Sequence, residues 1–499
     1  MTPTTASDPT FLGHPRGLAT LFFTEFFERF SYYGMRALLV LFLTATAANG
    51  GFGVDNLTAG AVYGLYTSVA YLSCLPGGWI ADRLIGQRRS VLYGGILISL
   101  GNFMLAIGTP LVFYLGLLVT ALGTGLLKPN VSAIVGELYR GQPGERRDAG
   151  FSIFYVGINL GAMIAPLVSG TVGETVGYRW GFLSAGIAML VGVAQYRATS
   201  GYLGEAGLAP QGTTAAERER SRRWLVGGLV ALGALVALIA TRVIDVGAAQ
   251  LAQWFDWIMR AIAVVFFGAV LLFGGLDATE KKRVLVIFVF FLCACLFWAG
   301  FEQAGTTFNL FARDLTDRSL LGSFFAAHEH PTTWYQSVNS VFIIVLSPFF
   351  AWAWIALGKR NLDPSAPVKF GVGLVLLGLG FAVLIFAAQL IIHGGGKVGP
   401  QWLLLTYFLH TCGELCLSPI GLSNVTKLAP PRFVSQMMGT WFLGAALGNL
   451  AAGQIGGRIG SDVATMPGEF LQMTLFGVGA GAIVLALSPL FRSWMGGIR

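Results

Sequence analysis

Apolar stretches long enough to span a bilayer recur along the whole chain, and this limits the fold more than any other feature. They lie at approximately 18–47, 56–82, 90–108, 110–138, 150–172, 180–198, 222–242, 257–276, 284–312, 333–357, 369–392, 401–427, 434–457 and 469–492. About twenty apolar residues in helical form cross the hydrocarbon core, so roughly fourteen crossings are predicted. Only 11% of the 499 residues are charged, against about 25% in soluble domains. So little charge leaves too little polar surface to cover a water-soluble core, so lipid must cover it. The 68 glycines agree, because small residues let membrane helices approach closely. The expected fold is an all-α polytopic membrane protein.

The net charge of +8 does not point to nucleic acid once the 32 Lys and Arg are placed. With the N-terminus inside, 22 fall in inner segments, seven in outer loops (Arg179, Arg242, Arg260, Arg313, Arg318, Lys397 and Arg458) and three at membrane depth (Arg29, Arg36 and Lys128). The inner group includes Arg83, Arg88, Arg89, Arg218, Arg220, Arg222, Arg223, Arg492 and Arg499. This excess predicts that both termini are cytoplasmic. The opening MTPTTASDPTFLGHPRG lacks the basic region and unbroken apolar run of a signal peptide, so the first apolar segment is expected to be retained. Cys74, Cys293, Cys295, Cys412 and Cys416 all sit in apolar stretches and read as small buried side chains, with neither a disulfide framework nor a metal site implied.

The longest inner linker, about 199–223, ends in ERERSRR and reads as a solvated loop, with anionic lipid headgroups as an alternative partner. Six apolar segments precede it and eight follow. The seventh and eighth carry Arg242, Asp245, Asp256 and Arg260, placed near their outer ends, and otherwise few polar residues. They read as an insertion, giving an N-terminal six-helix bundle (1–198), a linker with two extra helices (199–280) and a C-terminal six-helix bundle (281–499). The loop GGWIADRLIGQRRS, with Gly78, Asp82, Arg83, Gly86, Arg88 and Arg89, resembles the G-x-x-x-D-R-x-x-G-x-R-R signature of the major facilitator superfamily. Asp82 at a helix end suits a latch through nearby arginines and helix-terminal amides.

Ionisable residues inside a spanning helix are costly, so a function is the default reading. The first segment contains TEFFERFSYYGMR, in which Glu25, Glu28, Arg29, Tyr32, Tyr33 and Arg36 recur every three or four residues. They fall within an arc of roughly 140° and climb about 16 Å, a stripe expected to face an aqueous cavity. Glu25 and Glu28 are like charges one turn apart, and Arg29 pairs with either. Such a group can exchange a proton for an ion pair. Arg36 offers a fork for a carboxylate.

Glu25-x-x-Glu28-Arg29-Phe30-x-Tyr32-Tyr33-Gly34 resembles the signature of the proton-coupled oligopeptide transporters. The run Phe154, Tyr155, Ile158, Asn159, Gly161 is similar to a second signature of that family. FWAGFEQ, with Trp298, Phe301, Glu302 and Gln303, and GELCLSPIGLS, with Glu414 and Ser418, resemble two more. The extra helix pair is like that of bacterial members. The resemblance implies a major facilitator fold and roles for these residues. Glu25, Glu28, Arg29 and Glu302 would handle the proton. Arg29, Arg36 and Lys128 would meet a peptide carboxylate. Glu414 would meet the peptide amino group, with Asn159, Asn339 and Ser418 beside it, and Tyr33, Tyr66, Trp298 and Trp441 would line side-chain pockets. Lys128 with Glu414, Arg36 with Glu302, and Asp82 would serve the gates. The cations precede the linker and Glu302 and Glu414 follow it, which suits a zwitterion held by both halves.

Other readings of single residues stay open. Lys128, in GLLKPN, also fits a lysine snorkelling to the inner surface. Glu414 also fits a structural ion pair, and Asn159 and Asn339 fit interhelical hydrogen bonds equally well. The second segment lacks the histidine that animal members carry there and runs through Tyr63, Tyr66, Ser68, Tyr71 and Ser73. His410, one turn before Glu414, is at most a modulator. The expected activity is import of di- and tripeptides with protons across the cytoplasmic membrane, by a monomer without cofactor or metal. The alternative is a related carrier of another small anion, such as nitrate or a conjugated metabolite. No P-loop, HExxH or convincing Ser–His pair argues for an enzyme.

Overall fold

The computed structural model describes residues 10–208, 210, 214–458 and 462–497, without the side chains of Pro419 and Leu422. The first nine residues and Arg499 lie outside the described residues. A short antiparallel hairpin, β1 (Thr10–Phe11) and β2 (His14–Pro15), precedes the helices. Fourteen helices of seventeen or more residues follow among the described residues. They are α1 (Gly17–Thr44), α2 (Asn56–Leu72), α3 (Gln87–Ile107), α4 (Pro110–Leu138), α5 (Gly144–Ala165), α6 (Tyr178–Thr199) and α7 (Ala215–Ala240). Next come α8 (Ala248–Phe273), α9 (Ala278–Phe301), α10 (Tyr335–Lys359), α11 (Ala366–Gly394), α12 (Gln401–Leu428), α13 (Val434–Gly456) and α14 (Met466–Trp494). Short turns prolong α2 to Ile85, α5 to Thr175 and α9 to Asp314. Ten of these helices, some with their continuations, are long and apolar enough to cross a membrane. Helix α1 is not among the ten, because Glu25, Glu28, Arg29 and Arg36 interrupt its apolar run.

Local chemistry explains several helix starts. Asp55 caps α2 by accepting from the Thr58 amide and hydroxyl, both at 2.8 Å, which leaves its carboxyl below the usual range. Capping boxes open α7, through Thr214 and Glu217, and α9, through Asp277 and Glu280. The first of these corrects the sequence reading. ERERSRR is not a loop but the first two turns of α7, because the capped turn satisfies the amides that a loop would leave to water. Asp256 and Arg260 also lie deeper than the outer end, about 12 and 18 Å along α8. They form an ion pair one turn apart at 2.9 Å, with Asp256 buried, and this pairing makes charge tolerable at that depth.

The chain divides into two compact units. The first comprises Met1–Leu38 and Val69–Val246. Within it α3 packs along α4 and α6. Its predicted inner end is closed by residues 200–208: Arg88 donates to the carbonyls of Ala206 (2.6 Å) and Gly204, and Glu137 accepts from the Gly207 amide at 2.8 Å. The Arg16 guanidinium covers the Tyr202 ring at 3.9 Å. The arginine-rich signature loop thus clamps the start of the linker.

The second unit comprises Leu39–Ser68 and Gly247–Arg499. Within it α11 packs along α14 and α12, and α9 along α13. The N-terminal half of α2 meets the end of α13 backbone to backbone. A Cβ at Gly64 would lie 2.8 Å from the Leu450 carbonyl oxygen, and one at Gly457 would lie 2.8 Å from that of Asn56. Gly64→Leu is therefore expected to force α2 off α13. It should lower the thermal midpoint of the detergent-solubilised protein by the equivalent of about 1–3 kcal/mol of overpacking, with Gly64→Ala between it and wild type. At the predicted outer end Glu329 joins Arg318 to Lys397, the latter at 2.7 Å. The Lys397 hydrogen bond, with the Arg318 charge, holds its carboxyl below the usual range, so this clasp persists into mildly acidic medium.

Candidate functional site

In the first unit the charge stripe of α1 forms a compact cluster. Arg29 donates through Nε and Nη2 to both oxygens of Glu28, the second at 2.6 Å, and its Nε lies 3.3 Å from Glu25 Oε1. Glu25, Glu28, Arg29 and Arg36 are 0–4% exposed. These four side chains are therefore buried, while Tyr33 of the same stripe is half-buried. The physical reason is mutual neutralisation: Arg29 gives Nε and Nη2 to Glu28 with Glu25 beside it, and such an ion pair tolerates burial that a single charge does not. Glu25 Oε2 is the exception, buried with no hydrogen-bond partner. The tyrosines of the signature face the cations. Arg29 lies 5.1 Å from the Tyr32 ring centre, and Arg36 lies 5.4 Å from that of Tyr33. Gly161 of the second signature is needed because α5 crosses α1 here. A Cβ at that position would lie 3.1 Å from the Arg29 Cβ.

Around this cluster the first unit places Lys128, half-buried on α4 beside Pro129, with its Nζ 4.0 Å above the Tyr71 ring. Asn159 is buried and donates to the Tyr155 carbonyl of its own helix at 2.9 Å, not to a neighbouring helix. Asp82 lies exposed in the turn Ala81–Ile85. In the second unit Tyr66 is buried on α2.

The second unit holds two constellations. On α10 and α12, Asn339 Nδ2 donates to Glu414 Oε2 and to Thr411 Oγ1, both at 3.0 Å. Asn339 therefore orients one oxygen of the carboxylate. At the other, the Tyr63 hydroxyl donates to Glu302 Oε2 at 3.0 Å, and Tyr63 and Glu302 are both buried. Trp298, one turn before Glu302, packs edge-on against Phe301 with ring centres 5.4 Å apart. Trp441 stands edge-on to Phe370, and Ser418 is half-buried on α12. His410 is buried among Phe301, Phe308 and Phe381, and its Nε2 lies 3.0 Å from the Leu377 carbonyl. Its ring serves the packing against α11. Sequence reasoning did not single out Tyr63 or Thr411. Their helical spacing carried a signal, since Tyr63 lies three residues before Tyr66 and Thr411 three before Glu414.

Many long apolar helices with buried, paired charge and polar side chains define a multi-pass membrane protein of the transporter class. A sequence profile of the POT family matches residues 88–461, and the chain belongs to this family. The peptide transporter YePEPT of Yersinia enterocolitica is 42% identical over 496 residues, covering 97% of this chain and 96% of that one. A di-/tripeptide transporter of Lactococcus lactis subsp. cremoris is 38% identical over 505 residues, covering 99% of each chain. The crystal structure of a peptide transporter POT in complex with sulfate matches with a TM-score of 0.90 and 40% identity, covering 98% of this chain and 97% of that one.

Proposed function

We propose that this protein is a proton-coupled symporter that imports di- and tripeptides across the cytoplasmic membrane by alternating access. The observation that carries the coupling is the α1 cluster: two carboxylates share one guanidinium, and the buried Glu25 Oε2 accepts no hydrogen bond. That oxygen is a seat for a proton. Protonation there leaves a neutral acid beside a complete Glu28–Arg29 pair, so the cluster moves between a charged and a neutral carboxyl without stranding Arg29. Glu302, which accepts from the Tyr63 hydroxyl, serves as a second proton-sensitive group.

Arg36, Arg29 and Lys128 take the peptide carboxylate. Glu414, oriented by Asn339, takes the amino group, with Asn159 and Ser418 beside it. Tyr33, Tyr66, Trp298 and Trp441 contact side chains. Exchange of Lys128–Glu414 and Arg36–Glu302 pairs, with Asp82 at the inner loop, opens and closes the gates. All fourteen long helices cross the membrane, as six, two and six (1–198, 199–280, 281–499), with both termini cytoplasmic. The chain acts as a monomer, without cofactor and without enzymatic chemistry.

The test is uptake of labelled di-alanine into liposomes bearing the purified protein, with an acidic exterior and an inside-negative potential. Accumulation is expected, and it should vanish when an ionophore collapses the proton gradient. Unlabelled di-alanine should compete and nitrate should not, because a simple anion leaves Glu414 without its ammonium partner. Gradient-independent uptake, or competition by nitrate alone, would overturn the assignment in favour of another small anion.

A further inference from the structure

Helix α7 touches the rest of its unit along a single line. Ser221 is buried, Leu225, Leu232, Val236 and Ile239 are half-buried, and every other residue from Ala215 to Ala240 is exposed. The spacing of these five keeps them on one side of the helix. No charged residue occurs from Trp224 to Thr241. That stretch rises about 27 Å, close to the roughly 30 Å of the hydrocarbon core. With α7 crossing the membrane, acyl chains cover its exposed apolar face. The turns before Trp224 then lie in the inner headgroup layer, which is about 5–8 Å deep.

Those turns carry Arg218, Arg220, Arg222 and Arg223 against Glu217 and Glu219. Both glutamates are engaged: Glu217 in the capping box with Thr214, and Glu219 with Arg223 at 3.3 Å. Arg218, Arg220 and Arg222 are exposed and make no ion pair or hydrogen bond among the described residues. At about 100° per residue Arg218 and Arg222 stand on one flank of the contact line and Arg220 on the other. Trp224 follows Arg220 by one turn on the same flank and is 69% exposed, as an interfacial anchor is. Gly227 and Gly228, one turn further on, face open space and leave a shallow groove beside the indole. Arg83 is exposed on the turn Ala81–Ile85, against which α7 packs, with Asp82 beside it.

Orientation of a helix requires only that its basic residues stay inside. It does not require three guanidiniums mounted on a capped helix, on both flanks, at headgroup depth and without a protein partner. We propose that the start of α7 is a binding site for anionic phospholipid of the inner leaflet. The lipid phosphates accept from Arg218, Arg220 and Arg222, and an acyl chain runs along Gly227 and Gly228 beside Trp224. A guanidinium matches a phosphate with paired donors, and each arginine near an anionic surface strengthens binding about fivefold. Lipid bound there holds the inner end of a helix that the protein itself holds by one line of contacts. The inference rests on the membrane crossing and orientation proposed above.

The experiment uses the purified full chain in micelles holding equal parts of phosphatidylglycerol and phosphatidylcholine, with retained lipids counted by native mass spectrometry. Wild type is expected to retain phosphatidylglycerol roughly tenfold or more over phosphatidylcholine. The combined variant Arg218→Gln, Arg220→Gln, Arg222→Gln should lose that preference, and the corresponding lysine variant should keep most of it. A control removing three exposed cations elsewhere on the inner side, Lys281→Gln, Lys282→Gln and Lys359→Gln, should retain lipid as wild type does. Excess inorganic phosphate should not displace the lipid. Wild-type retention by the glutamine variant overturns the inference. So does an equal loss in the control, which would mean bulk charge, or displacement by inorganic phosphate, which would mean a free-anion site. If the glutamine variant does not fold, Arg218→Gln and Arg220→Gln singly decide, at about fivefold each. Impermeant maleimide on Ala216→Cys and Asp245→Cys in liposomes tests the crossing, and labelling of both from one face also overturns the inference. Failed peptide uptake alone overturns only the transport assignment, because lipid retention is read without transport.

Discussion

Glu28→Gln protein in liposomes, with an acidic exterior and an inside-negative potential, should exchange peptide across the membrane without accumulating it. Glu28 is fully buried and takes both the Nε and Nη2 donors of Arg29. The substitution removes that charge and leaves Glu25, 3.3 Å away, as the remaining carboxylate of the cluster. Glu25 can then no longer take a proton without leaving a buried guanidinium uncompensated. Breaking a buried pair this way costs about 3–5 kcal/mol, a hundredfold or more in the population of the protonated state. Accumulation driven by the gradient should fall by about that factor, while exchange, which needs no net proton movement, persists. Glu28→Asp should recover part of it, and a thermal midpoint near wild type would show that the fold is intact. Full accumulation by Glu28→Gln would remove the cluster from the coupling mechanism.

Glu414→Gln should raise the KM for di-alanine roughly 10- to 150-fold, the range for losing one charged hydrogen-bond partner. The maximal rate should change less, because Asn339, itself fixed by its bond to Thr411, still donates to the side-chain carbonyl oxygen. Asn339→Leu should act in the same direction by a smaller factor, about 2- to 13-fold, since it removes orientation and not charge. The discriminating measurement uses a peptide with an acetylated amino group. It should bind wild type poorly and be indifferent to Glu414→Gln. If free and acetylated peptides suffer equally, Glu414 holds the helices together and does not read the ammonium.

The helical plan was legible from composition because lipid imposes a simple rule: about twenty apolar residues per crossing. All fourteen long helices lie where apolar stretches were expected. The exceptions are instructive. The seventh stretch was read as starting at 222, and α7 begins at Ala215, because Thr214 and Glu217 form a capping box whose arginine-rich helix needs no apolar residues. Asp256 and Arg260 were placed near an outer end by hydropathy, yet a pair one turn apart neutralises itself deeper in the helix.

The site was legible in part for the same reason. Ionisable residues at membrane depth stand out in any sequence this apolar, and spacing of three and four put Glu25, Glu28, Arg29 and Arg36 on one side of α1. Helical periodicity predicts which residues share a face. It does not predict what covers that face, because the cover comes from segments distant in the chain. The charged residues of the stripe proved buried, with Arg29 locked to Glu28 and Gly161 of α5 against its Cβ. Asn159 turned to its own helix and Asn339 to Glu414, although both had been equally open to either role. The Tyr63–Glu302 bond joins residues 239 apart in the chain, and no local pattern encodes such a pair. The amino-acid order sets where charge and backbone direction occur along each helix. Which hydrogen bonds those charges make, and which buried groups such as Glu25 Oε2 are left without one, depends on how closely the helices pack, and that is a property of the folded chain.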